Sequence, residues 1–465
     1  MEPLKRSLEW ESGVNLQSKQ IKLSDESDLK SFLTWCQDNK ITINPKVTVC
    51  KHGSCAQYGL LAVEDISEGE CLLDIPRNVL LTPQTTALSK LLEKEKASLK
   101  STSGWVPLLV ALMYEYLTPS SHWAPYLHLV PDFNQLNLPM FWSAQDLEFH
   151  LRGTGVVESV RRDLTNISAE FSNVVLPFLQ KHSDFFRPES YDLELYKKMV
   201  AFIMAYSFTE PIDEDEDEDE DVIHGGTPRS GPMMVPLADI LNHVTDNNAH
   251  LDFGKETLKM TATKYIKKGE EVYNTYGPLT NQELLHMYGF TERYPLNTHD
   301  SVEIPLSIVE VVLSQDVTSD SRELLNEKWY HLKSKEVITE DFMYLLGRDG
   351  FITDWEMYET LKVFSLDSAT FRDVNEKEEY SDTEGDDAMS FDDLKQLPDR
   401  WKIILATIAR ACIKRYPNTL AEEQSTMNSM MWSALPRWQQ YCIYLRHGHL
   451  TMLHQLLATV AIGDT

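Results

Sequence analysis

The run Pro236-Leu-Ala-Asp-Ile-Leu-Asn-His243 closes a short apolar segment with a polar Asn-His pair. Further on, Glu271-Val-Tyr-Asn-Thr-Tyr-Gly277 passes from a strand into a tight turn that carries Tyr276. A carboxamide, an imidazole and a phenol in one place offer hydrogen bonds and an oxygen to a reacting centre. The chain between them alternates, with Leu251 and Phe253, then Leu258, Met260 and Thr263, as a hairpin does. One hairpin would return Tyr276 to the Asn-His pair. Taken alone, each piece has a plainer reading. An Asp-x-x-Asn-His string recurs by chance, Asn242 is an ordinary cap or turn residue, and Tyr276 is a half-buried aromatic with a wet hydroxyl.

Other elements must hold these residues in place. Residues 1 to about 25 are polar. Asp25 to Asn39 has helical spacing at Leu29, Phe32, Leu33 and Cys36. Strands follow at Val47–Cys50, Tyr58–Val63 and Cys71–Ile75, with turns at Gly53-Ser54 and Glu68-Gly69; the last is read as a hairpin turn. Pro76 stops the third strand. Gly59, beside Tyr58, would let a ligand approach the backbone, or is simply a hairpin glycine. From Thr86 the period changes to 3.6, predicting helices over 86–98, 104–117, 145–152, 156–181 and 190–208. Trp105 opens the second of these and reads equally as a core aromatic.

After Phe290, Tyr294-Pro295 and Pro305 mark a linker. Helices are then expected at Ile308–Leu313, Ser321–Lys333, Asp341–Leu346, Asp354–Phe364, Trp401–Tyr416 and Arg437–Val460. Two acidic stretches break the pattern. Asp213–Asp221 is an unbroken Asp/Glu run, read as a solvated loop because like charges repel at every spacing. Its functional version would be a funnel for basic substrates; a calcium loop would need glycine and ligand spacing it lacks. Asp373–Asp393 reads as a second unstructured acidic stretch, in which Ser381 and Thr383 suit phosphorylation.

The chain has 465 residues, enough for two or three units, and its hydrophobic fraction of 42% supplies a core. Forty-three basic against 72 acidic side chains leave a net charge of −29. That balance disfavours direct nucleic-acid binding and favours basic, Lys-rich protein partners. The six cysteines form no C-x-x-C pair and read as reduced thiols. Neither a signal peptide nor a membrane span is expected. His447, His449 and His454 have no cysteine or carboxylate set beside them, so they read as structural and no metal is expected.

Asn242-His243, then Asn274-Thr-Tyr-Gly277, then His286-Met-Tyr-Gly-Phe290, resembles the carboxyl half of a SET domain. The chain is most similar to the Rubisco large-subunit methyltransferase class of protein-lysine methyltransferases. The resemblance continues at Gly53–Ala62, Ser103–Pro107, Met204–Phe208 and Leu453–Leu457. It implies an α+β fold: a pseudoknotted, β-rich SET domain split by a helical insert, then an all-helical substrate-binding domain. The corresponding boundaries are 1–45 for a polar segment and helix, 46–85 and 233–292 for the two SET parts, 86–232 for the insert and 300–465 for the last domain. It also implies that the segment carrying Tyr276 threads a preceding loop, an exception to the usual rule.

By the same resemblance the cofactor is S-adenosylmethionine, contacted by Ala56, Gln57, Tyr58, Tyr206, Asn242, His243 and Tyr288. Tyr276 is the catalytic residue. Trp105, Ser207, Asp239 and Phe290 touch the substrate. Methyl transfer to lysine is an in-line displacement that needs a neutral amine, although free lysine titrates near ~10.4. A desolvating, aromatic-walled channel lowers that value and aligns the amine at ~3–3.5 Å from the methyl. Oxygen atoms around the partly positive methyl complete the chemistry. Residues 291 to 411 contain no cysteine, so a zinc-bound closing segment is not expected, and the helical domain must close the channel. Phosphate loops, a G-x-S-x-G elbow, H-E-x-x-H and G-x-G-x-x-G are not found.

The resemblance implies monomethylation of nuclear or transcription-related proteins, such as the RelA subunit of NF-kappaB or a histone variant. The location implied is nuclear, and also cytoplasmic. Three rivals remain: a histidine methyltransferase of the same fold, a non-catalytic acidic SET-fold interaction protein, and a helical adaptor working through its C-terminal half.

Overall fold

The computed structural model describes residues 27–51, 53–54, 58–129, 136–187, 189–211, 231–316, 322–376 and 389–462. Ala56, Gln57 and the run Asp213–Asp221 fall outside them, as do Ser381 and Thr383. The chain forms two compact units. The first is Met1–Asn137 with Arg162–Tyr276; the second is Leu138–Arg161 with Gly277–Thr465.

Two four-stranded sheets build the first unit. The strands are β1 (Thr42–Ile43), β2 (Val47–Lys51), β3 (Tyr58–Ala62), β4 (Cys71–Pro76), β5 (Ser207–Phe208), β6 (Met233–Met234), β7 (Asn242–His243), β8 (Ala249–Phe253), β9 (Thr257–Ala262) and β10 (Glu271–Asn274). One sheet has the order β1-β4-β9-β8 and the other β2-β3-β10-β7, while β5 and β6 pair alone. Alternation is plain in β9, where Leu258, Met260 and Ala262 are buried and Lys259 is exposed. The expected hairpin over 250–265 is β8 with β9, Leu251 opposite Met260 and Phe253 opposite Leu258.

The turn at Glu68-Gly69 does not make a hairpin. Strand β3 pairs with β2 and β10, whereas β4 pairs with β1 and β9, so the turn carries the chain from one sheet to the other. Each strand follows the partner that buries its apolar face, Leu60 and Ala62 in one sheet and Leu73 and Ile75 in the other.

The helices of this unit follow their sequence signals. A helix runs over 27–38. Pro107 sits in the first turn of Val106–Leu117, a helix buried almost all round from Leu108 to Met113. Asp192 caps Leu193–Tyr206 by accepting from Leu195 N. The expected helix over 190–208 ends at Tyr206, and Ser207 and Phe208 turn into β5 against Met234 and Met233.

The second unit is mostly helical. Its core gathers the helices Leu306–Asp316, Arg322–Ser334, Asp354–Ser365, Asp399–Ile413 and Arg437–Thr459. It is not all-helical. Ser301–Pro305 (β11), expected as linker, and Met343–Gly347 (β12), expected as helix, form an antiparallel ribbon with Val302 opposite Leu346 and Ile304 opposite Tyr344. Those four side chains are buried on one face. The ends of the acidic stretch 373–393 are ordered: Ser368–Glu376 is helical, and Ser390 caps Phe391–Leu394 with Asp393 in a capping box. His449 is buried with its Nδ1 2.9 Å from Tyr416 Oη, and burial lowers its pKa to about 3, as befits a structural imidazole. Among the described residues no helix is long and apolar enough to cross a membrane.

Candidate active site

The Asn-His pair is strand β7, at the edge of its sheet, and β10 runs parallel beside it. Tyr273 stands opposite Asn242 and Asn274 opposite His243. Asn248 locks β10 in place: its Oδ1 accepts from Tyr273 N at 2.7 Å and its Nδ2 donates to Glu271 O at 3.0 Å. Two residues beyond β10 the turn delivers Tyr276 onto His243. Tyr276 N donates to His243 Nδ1 at 3.0 Å, and the two rings stack with centroids 5.1 Å apart at 28°. An accepting Nδ1 places the proton of the neutral ring on Nε2. Tyr276 Oη donates to Leu241 O at 3.0 Å. Thus the three residues singled out by spacing do meet. His243, expected as a cofactor contact, holds Tyr276 in this structure.

The bond to Leu241 O orients the phenol. Its proton is committed to a carbonyl, so its lone pairs face elsewhere. Phenol and carbonyl oxygens at one point suit a methyl group carrying partial positive charge.

Asn242 is only 1% exposed, and its Nδ2 donates both to Tyr58 O at 3.0 Å and to Glu271 Oε1 at 2.6 Å. The carboxamide therefore ties β7 to the start of β3 and to β10. At Gly59 the missing side chain makes room inside the protein. A side chain there would bring its Cβ to 2.5 Å from Glu271 Oε1, so the space belongs to the protein's own carboxylate. Tyr58 has Lys51 Nζ 5.9 Å from its ring centroid.

Three residues before Asn242, Asp239 lies in a single 3-10 turn, Ala238–Ile240. Leu237 enters that turn with φ at 77°, a left-handed conformation costly for a branched side chain. Asp239 is buried, and desolvation pushes its carboxyl up to about 7 against the opposing hydrogen bond from Tyr126 Oη to its Oδ2. The Tyr126 phenol is pushed up too, by burial first and then by the Asp239 charge. Cys36 is held as a thiol by burial and the same charge. Asp239 Oδ1 is buried without a hydrogen-bond partner among the described residues. An acceptor left open in such a place fits a cationic ligand.

Tyr206 closes its helix half-buried, its ring 5.3 Å from that of Phe202, and Ser207 opens β5. Trp105 is half-buried at the head of Val106–Leu117, with its N donating to Ser103 Oγ at 3.1 Å. Tyr288 and Phe290 belong to the second unit; Tyr288 ends a π turn over Leu284–Tyr288 and Phe290 follows its Gly289 cap. Their centroids are 6.5 Å apart, and Phe290 meets Tyr441 edge-on at 6.4 Å. Burial pushes the Tyr288 hydroxyl up to about 12, keeping it neutral.

Spacing gives no sign of Leu241, which acts through its carbonyl, nor of Tyr126. Glu271 reads from sequence as a strand residue only; its place after Gly269-Glu270 is the available signal.

Comparison with known proteins agrees with this geometry. The SET domain profile matches residues 57–277, and the Rubisco LSMT substrate-binding profile matches 319–453. The N-lysine methyltransferase setd6 of Salmo salar is 42% identical over 447 residues, 95% of this chain and 98% of that protein. The SETD6 enzyme of Homo sapiens is 36% identical, covering 93% of this chain and 96% of its own length. Among solved structures, the SET domain of LSMT bound to lysine and AdoHcy superposes with a TM-score of 0.66 at 17% identity, covering 94% of this chain and 91% of that one. That likeness establishes the fold, and the relatives establish the activity. The chain belongs to the SETD6 family of SET-domain N-lysine methyltransferases.

Proposed function

We propose that this enzyme monomethylates lysines in basic segments of nuclear or transcription-related proteins. RelA of NF-kappaB and a histone variant are acceptors of that kind. The methyl donor of a SET-domain lysine methyltransferase is S-adenosylmethionine, which supplies an electrophilic methyl on a cationic sulfonium. Asn242, His243, Tyr58 and the neighbouring Ala56 and Gln57 hold that cofactor, with Tyr206 and Tyr288 contributing. Tyr276 is the catalytic residue. Trp105, Ser207, Asp239 and Phe290 serve the acceptor lysine and its peptide, and the C-terminal helical region 300–465 selects the protein.

The observation that carries this reading is the hydroxyl of Tyr276 fixed on Leu241 O and backed by His243. It prepares an oxygen-lined point for a transferring methyl without a strong base. Asp239 sits in the same turn system with an open buried oxygen, suited to a cation. The net charge of −29 favours a basic protein partner over a nucleic acid.

Incubating the enzyme with methyl-labelled S-adenosylmethionine and separate nuclear and cytosolic extracts tests the substrate class. Label on lysines of basic nuclear proteins is expected, falling as salt rises. Label confined to acidic cytosolic proteins would overturn the proposed substrate class.

A further inference from the structure

Glu271 opens β10, five residues before Tyr276. Its carboxylate collects two donors from distant parts of the chain. Ser54 N donates to Oε2 at 3.0 Å and to Oε1 at 3.3 Å, and Asn242 Nδ2 donates to Oε1 at 2.6 Å. The same Asn242 nitrogen donates to Tyr58 O at 3.0 Å. One carboxylate therefore clasps Ser54 directly and Tyr58 through Asn242. Two glycines make room for the clasp. A Cβ on Gly53 would collide with Tyr58 O and Asn242 Nδ2, and one on Gly59 would stand 2.5 Å from Glu271 Oε1. Gly53 thus leaves room for Tyr58 O and the Asn242 carboxamide, and Gly59 for the Glu271 carboxylate.

The geometry points to Glu271 as a positioning residue that presets Ser54, Tyr58 and Asn242 against one another and so governs affinity for the cofactor. This deepens the reading above and rests on it, because Tyr58 and Asn242 are where the cofactor is placed. Charge-assisted hydrogen bonds are the strong ones, and a site ordered beforehand loses less entropy on binding. Replacing Glu271 by Gln leaves one oxygen and introduces a donor facing two N–H groups, so one contact must fail. Replacing it by Ala removes both.

Calorimetric titration with S-adenosylhomocysteine, run beside thermal melting without ligand, tests this. Glu271→Ala should weaken binding by roughly tenfold or more, Glu271→Gln should fall between it and the wild type, and Gly59→Ala should weaken binding with Glu271 intact. The apparent KM for the cofactor should rise while the KM for the acceptor protein stays put. If Glu271→Ala melts lower yet binds S-adenosylhomocysteine like the wild type, Glu271 is only structural and the inference fails. If the wild type itself does not bind, the cofactor assignment fails instead.

Discussion

Each unit buries an aspartate, and the two are solvated differently. Asp300, in the second unit, is fully engaged: Asn281 N donates to its Oδ1 at 3.0 Å and Asn281 Nδ2 to its Oδ2 at 2.8 Å, and Ser301 N adds another bond. Desolvation still raises its carboxyl to about 6. Asn281 Oδ1 in turn accepts from Glu292 N at 2.8 Å, so this acid organises local backbone. Asp239, in the first unit, accepts from the Tyr126 hydroxyl and has the backbone N–H groups of Asp239 and Leu237 beside it; its Oδ1 has no hydrogen-bond partner among the described residues, and its carboxyl rises to about 7. Asp300 has a donor on each oxygen, both from Asn281, and serves the local fold. Asp239 keeps one oxygen without a hydrogen-bond partner among the described residues, beside a Leu237 whose φ is 77°. The contrast predicts that the polar groups around Tyr276 and Asn242 act on function, and that Asp300 and the Glu423–Arg446 pair act on stability.

The largest test of that contrast is Tyr276→Phe. Turnover should fall by roughly 10²- to 10⁴-fold, the range of one well-placed polar catalytic group, with S-adenosylhomocysteine affinity and melting temperature nearly unchanged. Equal losses in turnover and binding would make Tyr276 a cofactor or folding residue. Next is Glu423→Ala in the helical unit. Glu423 pairs with Arg446, both buried, and Arg446 also reaches the His150 carbonyl. Stranding that guanidinium should cost about 3–5 kcal/mol in denaturant titration.

The two acids separate further under conservative substitution. Asp300→Asn keeps the shape but has one oxygen for several donors, so it should lose about 1–3 kcal/mol at pH 5, and the loss should shrink as pH rises through about 6, where the wild-type acid ionises. Asp239→Asn keeps an acceptor for Tyr126 and removes the cost of a buried charge. The ordinary carboxylate value of the unfolded chain lies well below the folded value of about 7. The contribution of the neutral buried acid is therefore complete below the unfolded value and is lost as pH rises through about 7. Melting curves at pH 5 and pH 8 should show the wild type losing stability and the variant losing less, a gap on the order of a few kcal/mol at most. Parallel curves would mean Asp239 is ionised in the fold without penalty.

Much of this was legible in the chain, for identifiable reasons. Alternation revealed β8 and β9, and the Asn-His and Asn-Thr-Tyr-Gly motifs led to β7, β10 and Tyr276. Resemblance, rather than periodicity, supplied the roles. Met343–Gly347 was misread because a five-residue apolar run has too little length to show its period among helices. Ser301–Pro305 was hidden by Pro305, although that residue sits at the end of an edge strand, where proline is tolerated. The clasp at Glu271 joins residues 217 positions apart in sequence, a pairing no local pattern encodes. Tyr126 was invisible for a different reason: nothing distinguishes a phenol bound to a buried acid from any other core tyrosine until the acid is placed beside it.

The most direct measurement is to locate the transferred methyl. Purified enzyme, a basic nuclear protein that it labels and methyl-labelled S-adenosylmethionine should give a product whose peptides, fragmented in a mass spectrometer, carry a single methyl on a lysine side-chain nitrogen, and Tyr276→Phe should abolish the signal. Label on histidine instead, or undiminished lysine labelling by the variant, would contradict the account.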